Sequence, residues 1–123
     1  MAYLTDRKRA EGLGSSKTGT EHFWHMQVSA VALAILIPVF IFTFGRILGA
    51  SYPEVLEYFG RPFPAIVTGL TLFVSFIHFK NGAQVAIEDY AHGLTRKALI
   101  IGVTCLCYAC IAVGLFALVR LAL

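Results

Sequence analysis

The sequence predicts an all-α membrane protein of three transmembrane helices, and three observations predict it. Hydrophobic residues make up 58% of the 123-residue chain and charged residues only 14%, where soluble domains carry roughly 25%. Mean hydropathy is +0.75. The apolar residues gather into three uncharged runs, residues 28–44, 63–79 and 98–119. So short a chain buries too small a fraction of its surface to hide that much apolar area in one water-soluble core. None of the runs alternates with period two, which excludes a transmembrane β-barrel.

The elements follow in order. Residues 1–24 are polar and mixed in charge and are expected as a cytoplasmic segment. They lack the charged-apolar-small pattern of a cleavable signal, and Asp6, Glu11 and Glu21 speak against a transit peptide, so the first span is expected to be an uncleaved anchor. That span is expected over about 25–48, because crossing about 30 Å of hydrocarbon takes about 20 helical residues and the first run needs its flanks. Pro38 should kink it, since proline leaves the residue-34 carbonyl without its donor. The second span, about 62–88, reaches the needed length by continuing as helix through Gly82 to Ile87 and taking Lys80 and Asn81 with it. The third, about 97–121, is long enough without help. The whole chain, 1–123, reads as one membrane domain with no internal repeat.

Lys and Arg set the direction. Arg7, Lys8, Arg9 and Lys17 precede the first span and Lys80, Arg96 and Lys97 follow the second; only Arg46, Arg61 and Arg120 lie on the other side. The positive-inside rule then places the N-terminus in the cytoplasm and the C-terminus in the periplasm. The basic residues sit between apolar runs rather than on a folded polar face, which argues against nucleic acid as a partner.

Ionisable residues within or beside hydrocarbon are candidate functional groups. His78, flanked by Ile77 and Phe79, has two readings. It is a hydrogen-bonded packing residue, or it is an axial ligand to heme iron, a standard role for imidazole. Gly82, one turn on and on the same face, favours the second, because a bare backbone there lets a flat macrocycle lie against the helix. His22 and His25 stand near the cytoplasmic surface. His78 is ten residues from Glu88, so about 15 Å deeper. His92 lies beyond the end of the span, so a second ligand to the same iron is expected from another chain.

At the inner end of the second span stand Glu88, Asp89 and Tyr90. They mark the water boundary with an interfacial aromatic, or they offer a quinone a phenol and a carboxylate for hydrogen bonding and proton transfer. From His78 to Tyr90 is twelve residues, about 18 Å of helix. Cys105, Cys107 and Cys110 project from different sides of the third span and read as small packing residues; an iron–sulfur cluster asks for four thiolates. Gly45 and Gly49 form a weak helix-approach motif at a span end. Lys80 reads as snorkelling to headgroups or, less simply, as a partner for a heme propionate.

His78-x-x-x-Gly82 followed by Asp89-Tyr90 resembles the hydrophobic membrane anchor subunits of succinate dehydrogenase. The glycine-rich lead-in from Gly12 through Ser15, Ser16 and Gly19 to His22, Phe23 and Trp24 is similar to that of alphaproteobacterial and mitochondrial-type members. The resemblance covers nearly the whole chain. It implies a multi-pass protein of the bacterial inner membrane. It also implies a complex with a larger cytochrome b-type anchor chain, an iron–sulfur subunit and a flavoprotein subunit. FAD and the iron–sulfur clusters would belong to those partners only. His78 matches the family's axial ligand to heme b, shared with the larger anchor chain. Tyr90 matches the tyrosine that hydrogen-bonds ubiquinone, with Asp89 the neighbouring acid. Gln27 stands where some members carry arginine, so no cationic role is carried over to it.

No nucleophile–base pair, flavin fingerprint or set of cluster ligands is present, so no catalytic residue is expected in this chain. Two further classes remain beside the anchor reading: a cytochrome b-type anchor of another quinone-linked dehydrogenase or fumarate reductase, and a structural membrane protein. A transporter subunit is disfavoured because every carboxylate lies outside the apolar runs.

Overall fold

The computed structural model describes residues 4–12 and 19–123. Among the described residues five helices follow one another: α1 (Asp6–Glu11), α2 (Gly19–Gly45), α3 (Tyr52–Phe59), α4 (Pro62–Tyr90) and α5 (Gly93–Ala122). Three are long and apolar enough to cross a membrane: Thr20–Gly45 within α2, then Pro62–Tyr90 and Gly93–Ala122. α2 starts earlier than the apolar run suggests and passes through Pro38 without a break. α4 carries Lys80 and Asn81 inside the helix and extends to Tyr90. The residues of the glycine-rich lead-in between Gly12 and Gly19 lie outside the described residues.

The two short helices are additions to the three spans. α1 is capped by Thr5, whose hydroxyl oxygen accepts from the Lys8 amide at 3.3 Å. α3 begins with Ser51 as its cap and Pro53 in its first turn. One Glu54 carboxylate oxygen accepts from both the Ser51 amide and the Ser51 hydroxyl, each at 2.7 Å. Glu54 at the third position thus satisfies the backbone donor of the cap residue, one half of a capping box. The Tyr58 hydroxyl donates to the Thr43 carbonyl at 2.8 Å, tying α3 back to the last turn of α2. Phe59 is buried at the same junction.

α4 is the middle of the molecule. It packs against α2 on one side and α5 on the other, while α2 and α5 make no contact with each other among the described residues. Close approach of α4 to α5 rests on two glycines. A Cβ on Gly114 would come to 2.5 Å from Leu72 Cδ1, and one on Gly69 to 3.2 Å from Leu118 Cδ2. Small residues are how membrane helices gain van der Waals contact when lipid supplies no hydrophobic drive. Gly45 and Gly49, the pair forming the sequence motif, have nothing near a Cβ position. Gly49 instead takes a φ of +82° in the turn after α2. Cys107 is fully buried beside Ile111 on α5, Cys105 is exposed, and Cys110 is intermediate.

A row of three helices leaves both broad faces uncovered. Phe42, Phe73, Leu106, Val113 and Phe116 are among many large apolar side chains left exposed. α4 and α5 join through Ala91 and His92, with Gly93 at φ +60°, a left-handed conformation that glycine adopts without penalty. The end of the bundle holding this turn also holds the start of α2.

Candidate functional site

α2 and α4 run antiparallel, and a serine joins them. Ser29 Oγ lies 2.8 Å from the His25 carbonyl, 3.0 Å from the Met26 carbonyl and 2.8 Å from His78 Nδ1. The first two are the back-bonds a serine makes when it sits inside a helix. The third crosses to α4. Ser29 is buried, at 8% relative exposure, so water does not compete for these bonds. His78 Nε2 has no hydrogen-bond partner among the described residues.

His78 and Val85 on α4, with His22, Met26, Gln27 and Ala30 on α2, line a groove of about 400 Å³. Cofactor and small-molecule sites commonly have volumes of about 300–1,000 Å³. His22 Nε2 is buried without a hydrogen-bond partner among the described residues. It is seven residues before Ser29, so about 10 Å along the helix from the level of His78. The two histidines therefore stand at different depths of one groove. His25 faces elsewhere, its Nε2 3.8 Å from Glu21, and His92 caps α5 at the surface.

Gly82, one turn beyond His78, faces Met26, and a Cβ there would meet only Met26 Cε at 3.8 Å. That is ordinary van der Waals contact, so packing within this chain does not itself demand glycine.

At the end of α4 the three polar residues separate. Glu88 is engaged within the chain: its carboxylate accepts from Gln84 Nε2 at 3.0 Å and pairs with Arg96 of α5 at 3.4 Å. Asp89 and Tyr90 make no side-chain hydrogen bond among the described residues, and Tyr90 is 87% exposed. Both extend away from the packed helices. Lys80 carries its ammonium 5.9 Å above the ring of Tyr108 on α5, a cation–π contact, on the side of α4 away from α2.

Thus the structure groups His78 with Ser29, His22 and Gln27, and leaves Asp89 and Tyr90 apart at the helix end. Sequence reasoning passed over Ser29 and set Gln27 aside. The available signal was positional: His22, Met26, Ser29 and Ala30 recur at helical spacing on one face of α2, two of them polar within an apolar helix.

Comparison with known proteins bears on the whole chain. Residues 1–116 match the family model described as succinate dehydrogenase/fumarate reductase transmembrane subunit. The succinate dehydrogenase hydrophobic membrane anchor subunit of Paracoccus denitrificans is 49% identical over 123 residues, covering 100% of this chain and 95% of that protein. The succinate dehydrogenase membrane anchor subunit of Reclinomonas americana is 32% identical over 81 residues, 63% of this chain and 68% of that protein. The corresponding anchor subunit of Rickettsia conorii is 29% identical over 112 residues, 89% of each chain. No solved structure matches.

Proposed function

The chain belongs to the succinate dehydrogenase/fumarate reductase transmembrane subunit family, and from that premise we propose how its residues serve the complex. It is a membrane anchor subunit of succinate dehydrogenase, a multi-pass protein of the bacterial inner membrane. It pairs with a larger cytochrome b-type anchor chain, and the two hold the iron–sulfur and flavoprotein subunits at the cytoplasmic face. By the positive-inside rule the end of the bundle holding the start of α2 and the α4–α5 turn faces the cytoplasm and the C-terminus the periplasm. This chain contributes no catalytic core; FAD and the iron–sulfur clusters lie in the partners.

His78 would supply one ligand to the iron of a heme b shared with the larger anchor chain. The observation that carries this is the state of its ring: Nδ1 is held by Ser29 at 2.8 Å while Nε2 has no partner among the described residues, on a groove between two helices. The residues fit such a group. An imidazole nitrogen suits iron, the groove is mostly apolar, and the orphaned His22 Nε2 offers a donor toward an anionic edge. Gly82 leaves the backbone of α4 bare one turn from the ligand. Bound heme supplies a one-electron site inside the membrane. His78 binds and orients it, and Met26, Ala30 and Val85 keep water from it.

Tyr90 and Asp89 form this chain's part of the ubiquinone site. Reducing a quinone adds protons at its carbonyl oxygens, and a phenol is a suitable donor to such an oxygen. Asp89 beside it takes up a proton from water at the membrane surface and passes it inward. Glu88 is already engaged by Gln84 and Arg96, while Asp89 has no side-chain partner among the described residues.

The test is the optical spectrum of the purified complex. His78→Ala should lose or displace the heme absorbance while succinate oxidation with a soluble acceptor continues. An unchanged heme spectrum in that variant overturns the ligand assignment.

A further inference from the structure

We propose that Ser29 is a positioning residue for His78: its oxygen accepts the Nδ1–H, which fixes the tautomer and ring plane that present Nε2 to the heme iron. This deepens the reading of His78 as an axial ligand and rests on it.

The argument is a count of protons. Ser29 has one hydroxyl proton, and its oxygen is within bonding distance of three groups. Two of them, the carbonyls of His25 and Met26, only accept. A neutral imidazole carries one N–H, on Nδ1 or on Nε2. If the hydroxyl donates to the α2 carbonyls, the oxygen's lone pairs are free to accept from Nδ1–H, and Nε2 is left with the lone pair a metal needs. If the hydroxyl turns to donate to Nδ1, both short carbonyl contacts lose their proton, and the ring's own proton sits on Nε2, where no partner is found among the described residues. The first arrangement pairs every donor and leaves open only the Nε2 lone pair, while the second leaves an Nε2–H with no acceptor and takes the hydroxyl from the carbonyls, in a place where Ser29 is buried and water does not make up the difference. The protons therefore run one way, from His78 Nδ1 to Ser29 Oγ and from Ser29 to the α2 backbone. The ring plane follows, because Ser29 is itself locked by its bonds to the preceding turn.

A second consequence concerns the iron. An acceptor on the far nitrogen makes a ligating imidazole more basic, which favours ferric over ferrous iron. Outer partners of metal ligands are worth roughly 10–100-fold in metal affinity. A neutral hydroxyl belongs at the low end, about tenfold in the ferric-to-ferrous preference, which for a one-electron couple is about 59 mV.

The test compares Ser29→Thr with Ser29→Val in the whole complex. The two side chains have the same shape and differ by a hydroxyl against a methyl; Ser29→Ala is the smaller control should valine disturb assembly. Three readouts are taken: heme content per complex, the heme midpoint potential, and the electron paramagnetic resonance spectrum of the ferric heme. Ser29→Thr should match the parent in all three. Ser29→Val and Ser29→Ala should raise the potential by about 59 mV and alter the ferric spectrum, or lose heme from an otherwise assembled complex. A merely structural serine would change thermal stability without moving the potential or the spectrum. Equal potentials and spectra in the threonine, valine and alanine variants would overturn the proposal, as would loss of the parent values in the threonine variant alone. Failure of the underlying reading is separate: it would appear as an unchanged spectrum in His78→Ala, whatever the Ser29 series does.

Discussion

Asp89 and Tyr90 differ from their neighbour Glu88 in what they have left to give. Glu88 spends its carboxylate on Gln84 and Arg96, while Tyr90 is 87% exposed. Tyr90→Phe removes only a hydroxyl that makes no hydrogen bond among the described residues. It should cut ubiquinone reduction by about a hundredfold or more, within the 10²–10⁴-fold span at which positioned proton donors act. Succinate oxidation with a soluble acceptor should stay near the parent rate. Equal quinone reductase rates in parent and variant would remove Tyr90 from the site. Gly82→Ala poses the complementary question. Its Cβ would sit 3.8 Å from Met26 Cε, so the chain should fold and assemble as before. Heme content or the heme spectrum should change if the macrocycle lies against that turn.

Helix contacts and caps carry the next set of consequences. At Gly114 an added Cβ would reach 2.5 Å from Leu72 Cδ1. Leu72 must therefore move, and overpacking of this kind costs typically about 1–3 kcal/mol. Gly114→Ala should lower the thermal stability of the detergent-solubilised complex, and adding Leu72→Ala should recover part of the loss, because the two positions share one contact. At the start of α3 the hydrogen bond from the Ser51 hydroxyl, then that from its amide, holds the Glu54 carboxyl below its ordinary value. A carboxyl lowered in the folded state adds stability that is complete above its unfolded pKa and is lost as pH falls through the folded one. Hydrogen exchange of the first α3 amides should be slower in the parent than in Glu54→Gln at neutral pH. The two should converge at strongly acidic pH, once Glu54 is protonated. A difference that persists in acid would mean the carboxylate charge is not what holds this turn.

For the whole molecule, the decisive feature is what it leaves uncovered. Three helices in a row, with α2 and α5 apart, bury Phe59, Val67, Cys107 and Ile111 as their apolar core and leave large apolar residues on both faces. Lipid covers part of that surface, and an anchor chain in a complex gives the rest to partners. Purification through a tag on this chain in mild detergent should bring a flavoprotein, an iron–sulfur protein and a second small membrane chain in equal amounts. Recovery of the chain alone would count against the assembly, and against the shared heme with it.

The three spans were legible from the sequence because crossing hydrocarbon imposes length and apolarity, and both are written in consecutive residues. His78, Gly82, Asp89 and Tyr90 stood out for the same reason: polar or bare positions are conspicuous against an apolar helix. The spacing of His78 from Tyr90 followed from helical rise alone. Partnership did not. That Gly69 and Gly114, rather than Gly45 and Gly49, mark the close approach depends on which helix faces fall together. That Glu88 rather than Asp89 is engaged among the described residues depends on the turn at Gly93 bringing Arg96 back beside α4. The pairing of Ser29 with His78 joins residues 49 apart in the chain, and no local pattern encodes it. Helical periodicity fixes the face on which a side chain lies; only packing of α2 on α4 determines which face it meets.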